Sequence, residues 1–260
     1  MNRFEKIEHI RRKLAGNEAT IGSWMQIPDS SLAEIMGRAG YDWVALDLEH
    51  GTMGHRALPD LFRALELGNT LPLARVTEGT PKDCKMALDA GAGGIILPMI
   101  ETAEQLASLV SACAWPPNGT RGVGFSRANL FGEDFDRYRE GEATGPLVIA
   151  MIEHINAVAN IDEILAVPGL DAVFIGPYDL SASMGLIGKF DHPDFQAAIK
   201  RVCERACAAG VAHGQHVVAP SPEAMNESVR QGHQFIAYSI DAVFLRNAVR
   251  CPEIAVSPAR

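Results

Sequence analysis

Ionisable residues follow several short apolar runs of this sequence, and they are its first candidates for chemistry. One run leads directly into residues 47–51 (DLEHG), and the next contains Arg75. Two later runs end at Glu153 and at residues 176–179 (GPYD). If these runs are parallel strands of one barrel, their carboxyl ends share one rim, where the active sites of such barrels lie. The pattern therefore predicts a single polar site at that rim.

Glu153 and Asp179 follow neighbouring runs, so their carboxylates could face one another. Two carboxylates with open positions between them suit Mg²⁺ or Mn²⁺, which prefer oxygen ligands. Alternatively, both residues cap the helices that follow, because acidic side chains favour helix N-termini. The pair alone does not distinguish a metal site from two helix caps.

His50 and Arg75 add a candidate base and a candidate anion-binding group. His50 lies three residues after Asp47, and a histidine bonded to a carboxylate has a fixed tautomer and greater basicity. The alternative is a histidine that satisfies a loop, but the position at a barrel rim favours catalysis. A guanidinium in an apolar strand is costly unless it is paired, so Arg75 either holds a buried carboxylate or binds an anionic substrate.

Eight strand-like runs alternate with eight helical patterns and would position these side chains. The strand-like runs are continuously apolar, as in strands covered on both faces. The alternation predicts an α/β fold, a single (β/α)8 TIM barrel over residues 1–260, with a doubly wound open sheet as the alternative. The predicted strands are 20–25, 43–48, 71–76, 94–99, 147–152, 172–176, 211–218 and 234–240. The predicted helices are 31–39, 56–67, 81–90, 103–114, 158–167, 193–209, 222–231 and 242–249.

Local signals support some of these helix boundaries, and one connection is unusually long. Thr80 and Pro81 are typical of a helix start, and Gly91 and Gly210 of helix ends. The segment from Trp115 to Pro146 separates the fourth helix from the fifth strand. A connection of this length is usually functional or contains small elements of its own.

Composition excludes several classes of function. Lys and Arg number 23 against 32 Asp and Glu, which gives a net charge of −9 and disfavours binding to nucleic acids or anionic membranes. No apolar run is long enough to span a bilayer, and the N-terminal segment lacks the pattern of a signal peptide. The five cysteines form no C-x-x-C pair, which is typical of free thiols in a reducing compartment. We therefore expect a soluble cytoplasmic protein.

Two absences narrow the chemistry further. None of the six lysines lies in a predicted strand, where the imine-forming lysine of a barrel aldolase would be expected, so covalent imine catalysis is disfavoured. The segments after the last two strands lack a glycine-rich turn, which favours a substrate without a phosphate group.

The remaining cysteines and histidines are weaker candidates. Cys203 and Cys207 lie one helical turn apart, and we interpret them as core-packing residues. His213 and His216 are three residues apart on a strand, so they face opposite sides and do not form a joint metal site. The sequence pattern of His55, His192 and His233 is that of surface or helix-capping residues.

The rim residues also occur in motifs that resemble those of a known family, the HpcH/HpaI aldolases, which are metal-dependent class II aldolases acting on 2-keto-3-deoxy acids. The similarity extends in order from about residue 22 to about residue 241, and the motifs are specific as a set. They are DLEHG (47–51), PLARV (72–76), GAGGIILP (91–98), RGVG (121–124), IE (152–153) and FIGPYDLS (174–181).

The resemblance implies a role for each rim residue. Glu153 and Asp179 would bind Mg²⁺, Mn²⁺ or Co²⁺, which a pyruvate unit would chelate. Arg75 would stabilise the enolate, and His50, paired with Asp47, would govern proton transfer. The turn formed by Gly176, Pro177, Tyr178 and Asp179 would offer backbone N–H groups to the substrate carboxylate. The products would be pyruvate and an aldehyde, and the family implies a homohexamer with an exchanged C-terminal helix.

Three positions depart from the family pattern. Met151 stands where many members have Gln, which would remove a polar contact near the metal. Tyr178 replaces a smaller residue and would narrow the pocket, and His154 is uncommon after the ligand glutamate. These departures leave the identity of the substrate open.

Two other functions remain as alternatives to the aldolase. A citrate-lyase-like C–C lyase acting on a CoA thioester would require a basic nucleotide-binding surface, which a short acidic chain does not suggest. A non-catalytic barrel that serves as a binding module would hold no metal and turn over no substrate.

Overall fold

A computed structural model describes residues 1–251 and contains a closed barrel of eight parallel strands. The first and last strands pair through Thr20 with Phe235 and through Ile21 with Ile236, which closes the sheet. This pairing confirms the TIM barrel and excludes the open doubly wound sheet. The strands are β1 (Thr20–Met25), β2 (Trp43–Asp47), β3 (Leu71–Arg75), β4 (Gly94–Leu97), β5 (Leu147–Ile152), β6 (Ala172–Ile175), β7 (Ala212–Val217) and β8 (Phe235–Ile240).

Helices cover the outside of the barrel and precede its first strand. Of the helices in the described part of the chain, none combines the length and apolar character needed to cross a membrane. They are α1 (Arg3–Ala15), α2 (Ser30–Gly37), α3 (Leu58–Leu67), α4 (Pro81–Ala90), α5 (Ala103–Cys113), α6 (Phe135–Gly141), α7 (Ile155–Ala159), α8 (Ile161–Leu165), α9 (Pro177–Ser183), α10 (Pro193–Ala209), α11 (Pro222–Arg230) and α12 (Asp241–Ala248).

The helix signals read from the sequence have the expected geometry. The Thr80 hydroxyl accepts a hydrogen bond from the backbone N–H of Asp83 at the start of α4. Gly91 and Gly210 end α4 and α10 with φ of 111° and 69°, the left-handed region that glycine enters without a Cβ clash. These start and stop predictions are confirmed.

Three features of the helical layer differ from the prediction. The helix predicted at 158–167 is wrong as one element, because Asn160 adopts φ −93° and ψ 13° and separates α7 from α8. Helix α1 was not predicted, although its N-terminus has a complete capping box formed by Asn2 and Glu5. Helix α9 was also missed, because a helix of 7 residues is too short for its apolar period to be read from sequence.

The long connection between α5 and β5 contains small elements and a buried anchor. A 3-10 helix at Arg127–Gly132 and helix α6 lie within it. The Arg121 side chain is buried and donates hydrogen bonds to the Cys113 carbonyl, the Tyr138 hydroxyl and the Glu142 carboxylate. The RGVG motif therefore fastens this connection to α5 and α6, and Arg121 does not line the cavity at the strand ends.

The core has two layers, as expected for strands that are covered on both faces. Between the strands and the helices lies a large aliphatic layer that includes Phe62 and Ile95. Inside the barrel, the rings of Trp43 and Phe235 stack at 4.1 Å. Gly22 makes room for that stack, since a Cβ at this position would meet the Trp43 ring at 2.1 Å. The barrel interior is therefore filled around this stack, and a cavity opens at the carboxyl ends of the strands.

Candidate active site

A cavity of about 390 Å³ opens at the carboxyl ends of the strands. The rule that these ends meet at one rim explains why residues distant in sequence converge there. All the residues predicted for the site line this cavity: Asp47, His50, Arg75, Glu153, Gly176, Pro177, Tyr178 and Asp179.

Asp47 and Arg75 form a bidentate ion pair at the ends of β2 and β3. The two residues are register partners in adjacent strands. Arg75 Nε lies 2.9 Å from Asp47 Oδ1, and Nη2 lies 2.6 Å from Oδ2. Both side chains are buried, so this fork-to-fork geometry compensates the loss of hydration of both charges. Of the two interpretations of Arg75, the buried carboxylate is therefore the one observed.

The pairing with Asp47 leaves one nitrogen of Arg75, Nη1, outside the fork. It lies 3.0 Å from Glu49 Oε2 and 3.9 Å from the sulfur of Met151. The guanidinium carbon also lies 4.5 Å from the centre of the Trp24 ring, a cation–π contact that fixes the plane of the group. Arg75 thus presents one oriented donor, Nη1, in a wall where the family pattern would place Gln instead of Met151.

His50 does not have the partner that the sequence suggested. The Asp47 carboxylate accepts hydrogen bonds from the backbone N–H groups of Glu49 and His50, each at 3.1 Å, rather than from the imidazole. The Gln26 amide donates to both Asp47 and the His50 carbonyl. The predicted ring-to-carboxylate pair is therefore replaced by a backbone turn around Asp47, and His50 lies exposed at the rim of the cavity. The reason is that both oxygens of the Asp47 carboxylate are bonded to Arg75.

Glu153 is almost completely buried, with an exposed fraction of 2%. Its Oε1 accepts a hydrogen bond of 2.6 Å from the backbone N–H of Met99. Burial, together with the negative charges of Glu49 and Asp179, raises the pKa of Glu153 to about 7. Met99 has a φ of 51°, an uncommon left-handed conformation for this residue type that is typical of functional sites. The carboxylate is thus held in a position that is unfavourable for an isolated negative charge.

Gly176 provides the space that the Glu153 carboxylate occupies. A Cβ at position 176 would lie 2.6 Å from Glu153 Oε2 and 2.8 Å from Glu153 Cβ. The absence of a side chain at the end of β6 therefore allows the carboxylate to lie against the backbone that leads to Asp179.

Asp179 lies in the first turn of α9. Pro177 lacks a backbone N–H, the Gly176 N–H is bonded to the Ile152 carbonyl, and the Leu180 N–H to the Gly176 carbonyl. The N–H groups of Tyr178 and Asp179 are therefore the ones that this turn can offer to an anion, as expected at a helix start.

The helix-cap interpretation of the carboxylates does not fit the structure. The His154 side chain, rather than Glu153, accepts the capping hydrogen bond of α7 from Asn156. Helix α9 has no side-chain cap hydrogen bond. Glu153 and Asp179 are therefore available to a cation, and carboxylate oxygens suit Mg²⁺, Mn²⁺ or Co²⁺ with waters completing the shell. A cation here would also relieve the repulsion that raises the pKa of Glu153.

Several cavity residues were missed by the sequence reasoning. Trp24, Gln26, Phe174 and His216 line the cavity; Phe174 begins the FIGPYDLS motif but was not assigned to the site, and the other three lie outside the motifs. The His216 Nε2 lies 3.1 Å from the Ser239 carbonyl, and burial lowers the pKa of His216 to about 4. His216 is therefore a neutral wall residue, and the prediction that it faces the opposite side of β7 from His213 is confirmed.

Tyr178 was expected to narrow the pocket, but it does not narrow the inner end of the cavity. Its side chain has an exposed fraction of 59% and its ring contacts the Phe190 ring edge-to-face at 5.0 Å. The residue lines the cavity from its exposed mouth.

We expect Gly176→Ala to weaken divalent cation binding, because the new methyl group must displace the Glu153 carboxylate. Loss of a group that orients a metal ligand typically costs about 10- to 100-fold in affinity. Isothermal titration with Mn²⁺ measures the change. Gly54→Ala is the matched control, since a Cβ there meets nothing within 4 Å and should leave the affinity unchanged. Equal Mn²⁺ affinity in Gly176→Ala and the parent would contradict this role of Gly176.

Comparison with known proteins agrees with this geometry. A family model described as HpcH/HpaI aldolase/citrate lyase matches residues 20–248. The chain is 39% identical to a hydroxypyruvate/pyruvate aldolase of Roseobacter denitrificans, over 92% of this chain and 93% of that protein. It is 35% identical to a 2-keto-3-deoxy-L-rhamnonate aldolase of Escherichia coli K12, over 92% and 90% of the two chains.

A crystal structure gives the same answer for the fold. An HpcH/HpaI aldolase/citrate lyase family protein from Burkholderia cenocepacia superposes with a TM-score of 0.86 at 35% identity, covering 92% of this chain and 95% of that one. The chain therefore belongs to the HpcH/HpaI aldolase/citrate lyase family and is a carbon–carbon lyase of the pyruvate aldolase type.

Proposed function

We propose that this enzyme reversibly cleaves a 4-hydroxy-2-oxo acid of the 2-keto-3-deoxy class into pyruvate and an aldehyde, with a divalent cation held by Glu153 and Asp179. The observation that carries the proposal is the cavity itself, which places an oriented arginine donor beside a crowded, buried carboxylate. None of the six lysines lines it, so the electrophile is not an imine. Mg²⁺, Mn²⁺ and Co²⁺ are the candidate ions.

Arg75 supplies part of the electrophilic stabilisation that the reaction needs. Retro-aldol cleavage breaks the bond between C3 and C4 and leaves its electron pair on the 2-oxo acid as an enolate. The bound cation supplies Lewis acidity toward that developing charge. The Asp47 fork and the Trp24 ring fix the direction of Arg75 Nη1. This nitrogen carries two N–H groups, so it can donate to the enolate oxygen while it remains paired with Glu49.

His50 is the residue to which we assign proton transfer. The C4 hydroxyl must lose a proton as the bond breaks, and C3 must gain one to give pyruvate. His50 lies at the rim of the cavity, and an imidazole can both accept and donate a proton near neutral pH. The backbone turn around Asp47 holds the His50 main chain in place, although the ring itself is not fixed by that carboxylate.

The start of α9 is the proposed binding site for the substrate carboxylate. The N–H groups of Tyr178 and Asp179 have no intrahelical partner, as in the first turn of any helix, and they line the cavity with Gly176 and Pro177. An anion can therefore bind locally although the chain carries a net charge of −9.

The walls of the cavity bear on the choice of substrate. Met151 and the neutral His216 offer little hydrogen bonding beside Arg75, whereas Tyr178 stands at the mouth. The relatives named above act on pyruvate, hydroxypyruvate or a 2-keto-3-deoxy sugar acid. We propose pyruvate as the small product that lies near Met151, with the aldehyde toward Tyr178. We also propose a cytoplasmic enzyme, because Cys84, Cys113, Cys203 and Cys207 are free thiols, which is typical of a reducing compartment.

A CoA-thioester lyase is the weaker alternative. The aldolases are 35–39% identical to this chain, whereas the citrate lyase structures are 17–19% identical and show a common fold alone. The non-catalytic barrel does not agree with membership of an enzyme family whose site residues meet in one cavity.

Pyruvate release from a panel of 2-keto-3-deoxy sugar acids tests the proposed activity. We expect the purified protein to lose activity after exhaustive treatment with EDTA and to regain it with Mn²⁺ or Mg²⁺, because Glu153 and Asp179 would hold the required ion. Glu153→Gln should remain inactive after metal is restored. Full activity in the EDTA-treated protein would show that the cation assignment is wrong.

Arg75→Lys should lower kcat by about 10²–10³, the usual cost of removing one preorganised donor to a developing oxyanion. The lysine keeps the positive charge beside Asp47 but cannot fork to it and donate to substrate together. Steady-state kinetics measure kcat and KM separately, and a thermal melt verifies folding. The control is Arg38→Lys, because Arg38 pairs with Glu34 on the exposed face of α2. A kcat within twofold of the parent would mean that Arg75 only supports the structure.

We also propose that the protein assembles as a homohexamer and that its C-terminal helix packs on a neighbouring subunit. Val123, Phe125, Leu130 and Phe131 of the long connection are exposed apolar residues, which is typical of a surface that is covered in an assembly. Helix α12 (Asp241–Ala248) lies within the described residues, whereas residues 252–260 lie outside them.

A variant that ends at Asp241 tests the proposed helix exchange. Asp241 is retained because its carboxylate accepts hydrogen bonds from the backbone N–H groups of Gln26 and Ile27. We expect light scattering after size exclusion to give fewer subunits per particle for this variant than for the full chain. An unchanged number of subunits would contradict the exchange. Circular dichroism verifies that the shortened chain is folded.

A further inference from the structure

A second cluster of metal-ligating side chains lies away from the cavity. His213 is the second residue of β7, His233 precedes β8, and Cys203 lies on α10. These residues are near the amino-terminal ends of the strands, so the barrel separates them from Glu153 and Asp179 at the opposite rim. We call this group the Cys203–His213–His233 cluster.

The cluster is compact and largely buried. One ligand atom from each of the three residues lies within 4.8 Å of the others. The Nδ1 atoms of His213 and His233 are 2.8 Å apart, with their rings at 79°. His233 has an exposed fraction of 4% and His213 of 1%. The expectation that His233 is a surface or capping residue is therefore wrong, because the turn before β8 folds it against β7.

The protonation states of the cluster suit a metal ligand set. Two imidazole nitrogens that face each other can share one proton or one cation. Burial lowers the pKa of His213, and burial together with His213 lowers the pKa of His233 to about 4. Burial therefore disfavours the positively charged form of both rings. Burial raises the pKa of Cys203 to about 11, so a metal must displace one proton from this thiol when it binds.

The surroundings of His213 are those of a ligand held by outer partners. Its Nε2 lies 3.5 Å from the sulfur of Cys207, so the ring is held through the nitrogen that faces away from His233. The backbone N–H of Gln234 donates to the His213 carbonyl at 2.8 Å. Metal-binding histidines commonly bind the metal through one ring nitrogen and contact an outer partner through the other, which fixes the ring orientation. Cys207 is exposed, and it marks a route to the cluster from solvent.

We propose that Cys203, His213 and His233 bind a divalent transition-metal ion of the Zn²⁺ type at a site separate from the active site. Nitrogen and thiolate donors select such ions, whereas carboxylates alone suit Mg²⁺ and Mn²⁺. A tetrahedral Zn²⁺ site has ligand atoms about 3.3–3.8 Å apart, so the two histidine nitrogens separate slightly and the sulfur moves inward. Water completes the fourth position.

Such an ion would connect three elements of the barrel wall. It would join α10 to β7 and to the turn before β8, which is the last strand of the barrel in chain order. Because the ligands are assembled only in the folded chain, binding would stabilise the folded state by an amount that rises with the logarithm of the free-ion concentration above the Kd. The site would therefore have a structural role that is independent of aldol chemistry.

Cobalt titration of the full-length protein distinguishes the two sites. The parent for this experiment carries Glu153→Gln and Asp179→Asn, which removes the carboxylate site. Co²⁺ is the probe because a thiolate ligand gives a near-ultraviolet charge-transfer absorption that oxygen ligands do not give. We expect one equivalent of Co²⁺ to produce this absorption and to raise the Tm. Absence of the absorption would overturn the proposal.

Two variants and a control identify the ligands. In the same background, Cys203→Ser should abolish the charge-transfer absorption. His233→Gln should weaken Co²⁺ binding by more than about 100-fold, because loss of an outer partner alone costs about 10- to 100-fold. Cys84→Ala removes a thiol from α4, outside the cluster, and should leave the absorption unchanged. Persistence of the absorption in Cys203→Ser, or unchanged affinity in His233→Gln, would overturn the proposal. Each result is sufficient by itself, so the test remains valid if one of the two variants folds poorly.

Discussion

The buried pair of Asp47 and Arg75 is the interaction on which the site depends. Two charges removed from water are costly, and removal of one partner of such a pair typically costs about 3–5 kcal/mol. The pair is stable here because parallel pairing of β2 with β3 places the two residues at the same level, so the carboxylate meets the guanidinium as a fork. The remaining donor, Nη1, is consequently fixed in direction before any substrate arrives.

The part of the cavity around Glu153 has the reverse electrostatic character. Within residues 1–251, no cationic side chain is bonded to the buried Glu153, and the negative charges of Glu49 and Asp179 act on it together with the more distant positive charge of Arg75. This part of the cavity is unfavourable for a second negative charge and favourable for a metal cation. A cavity with a fixed positive donor and, around Glu153, surplus negative charge can bind a cation and an oxo acid together. The net charge of −9 describes the whole chain and does not determine this local balance.

Ligand chemistry separates the two ends of the barrel. The carboxyl ends of the strands collect oxygen donors, whereas the region near the start of β7 and β8 collects two imidazoles and a thiol. Because ions of the Mg²⁺ and Zn²⁺ types differ in the donors they prefer, one chain can discriminate between them. His213 lies against the cysteines of α10, whereas Glu153 and Asp179 line the cavity at the carboxyl ends of the strands.

The pairing of β1 with β8 decided that the sheet closes into a barrel, which the sequence left open. The sequence by itself determined the eight strands and the ionisable residues at their carboxyl ends. These follow from local apolar runs and from the rule that the carboxyl ends of parallel strands meet. Predicting them therefore required no knowledge of which residues contact one another in the folded chain. Tertiary structure alone decided that Asp47 binds Arg75 rather than the His50 ring, that Met99 orients Glu153, and that His233 is buried. The physical reason is that a side chain's partner depends on strand register and on which groups are desolvated together, and neither is encoded in a short stretch of residues.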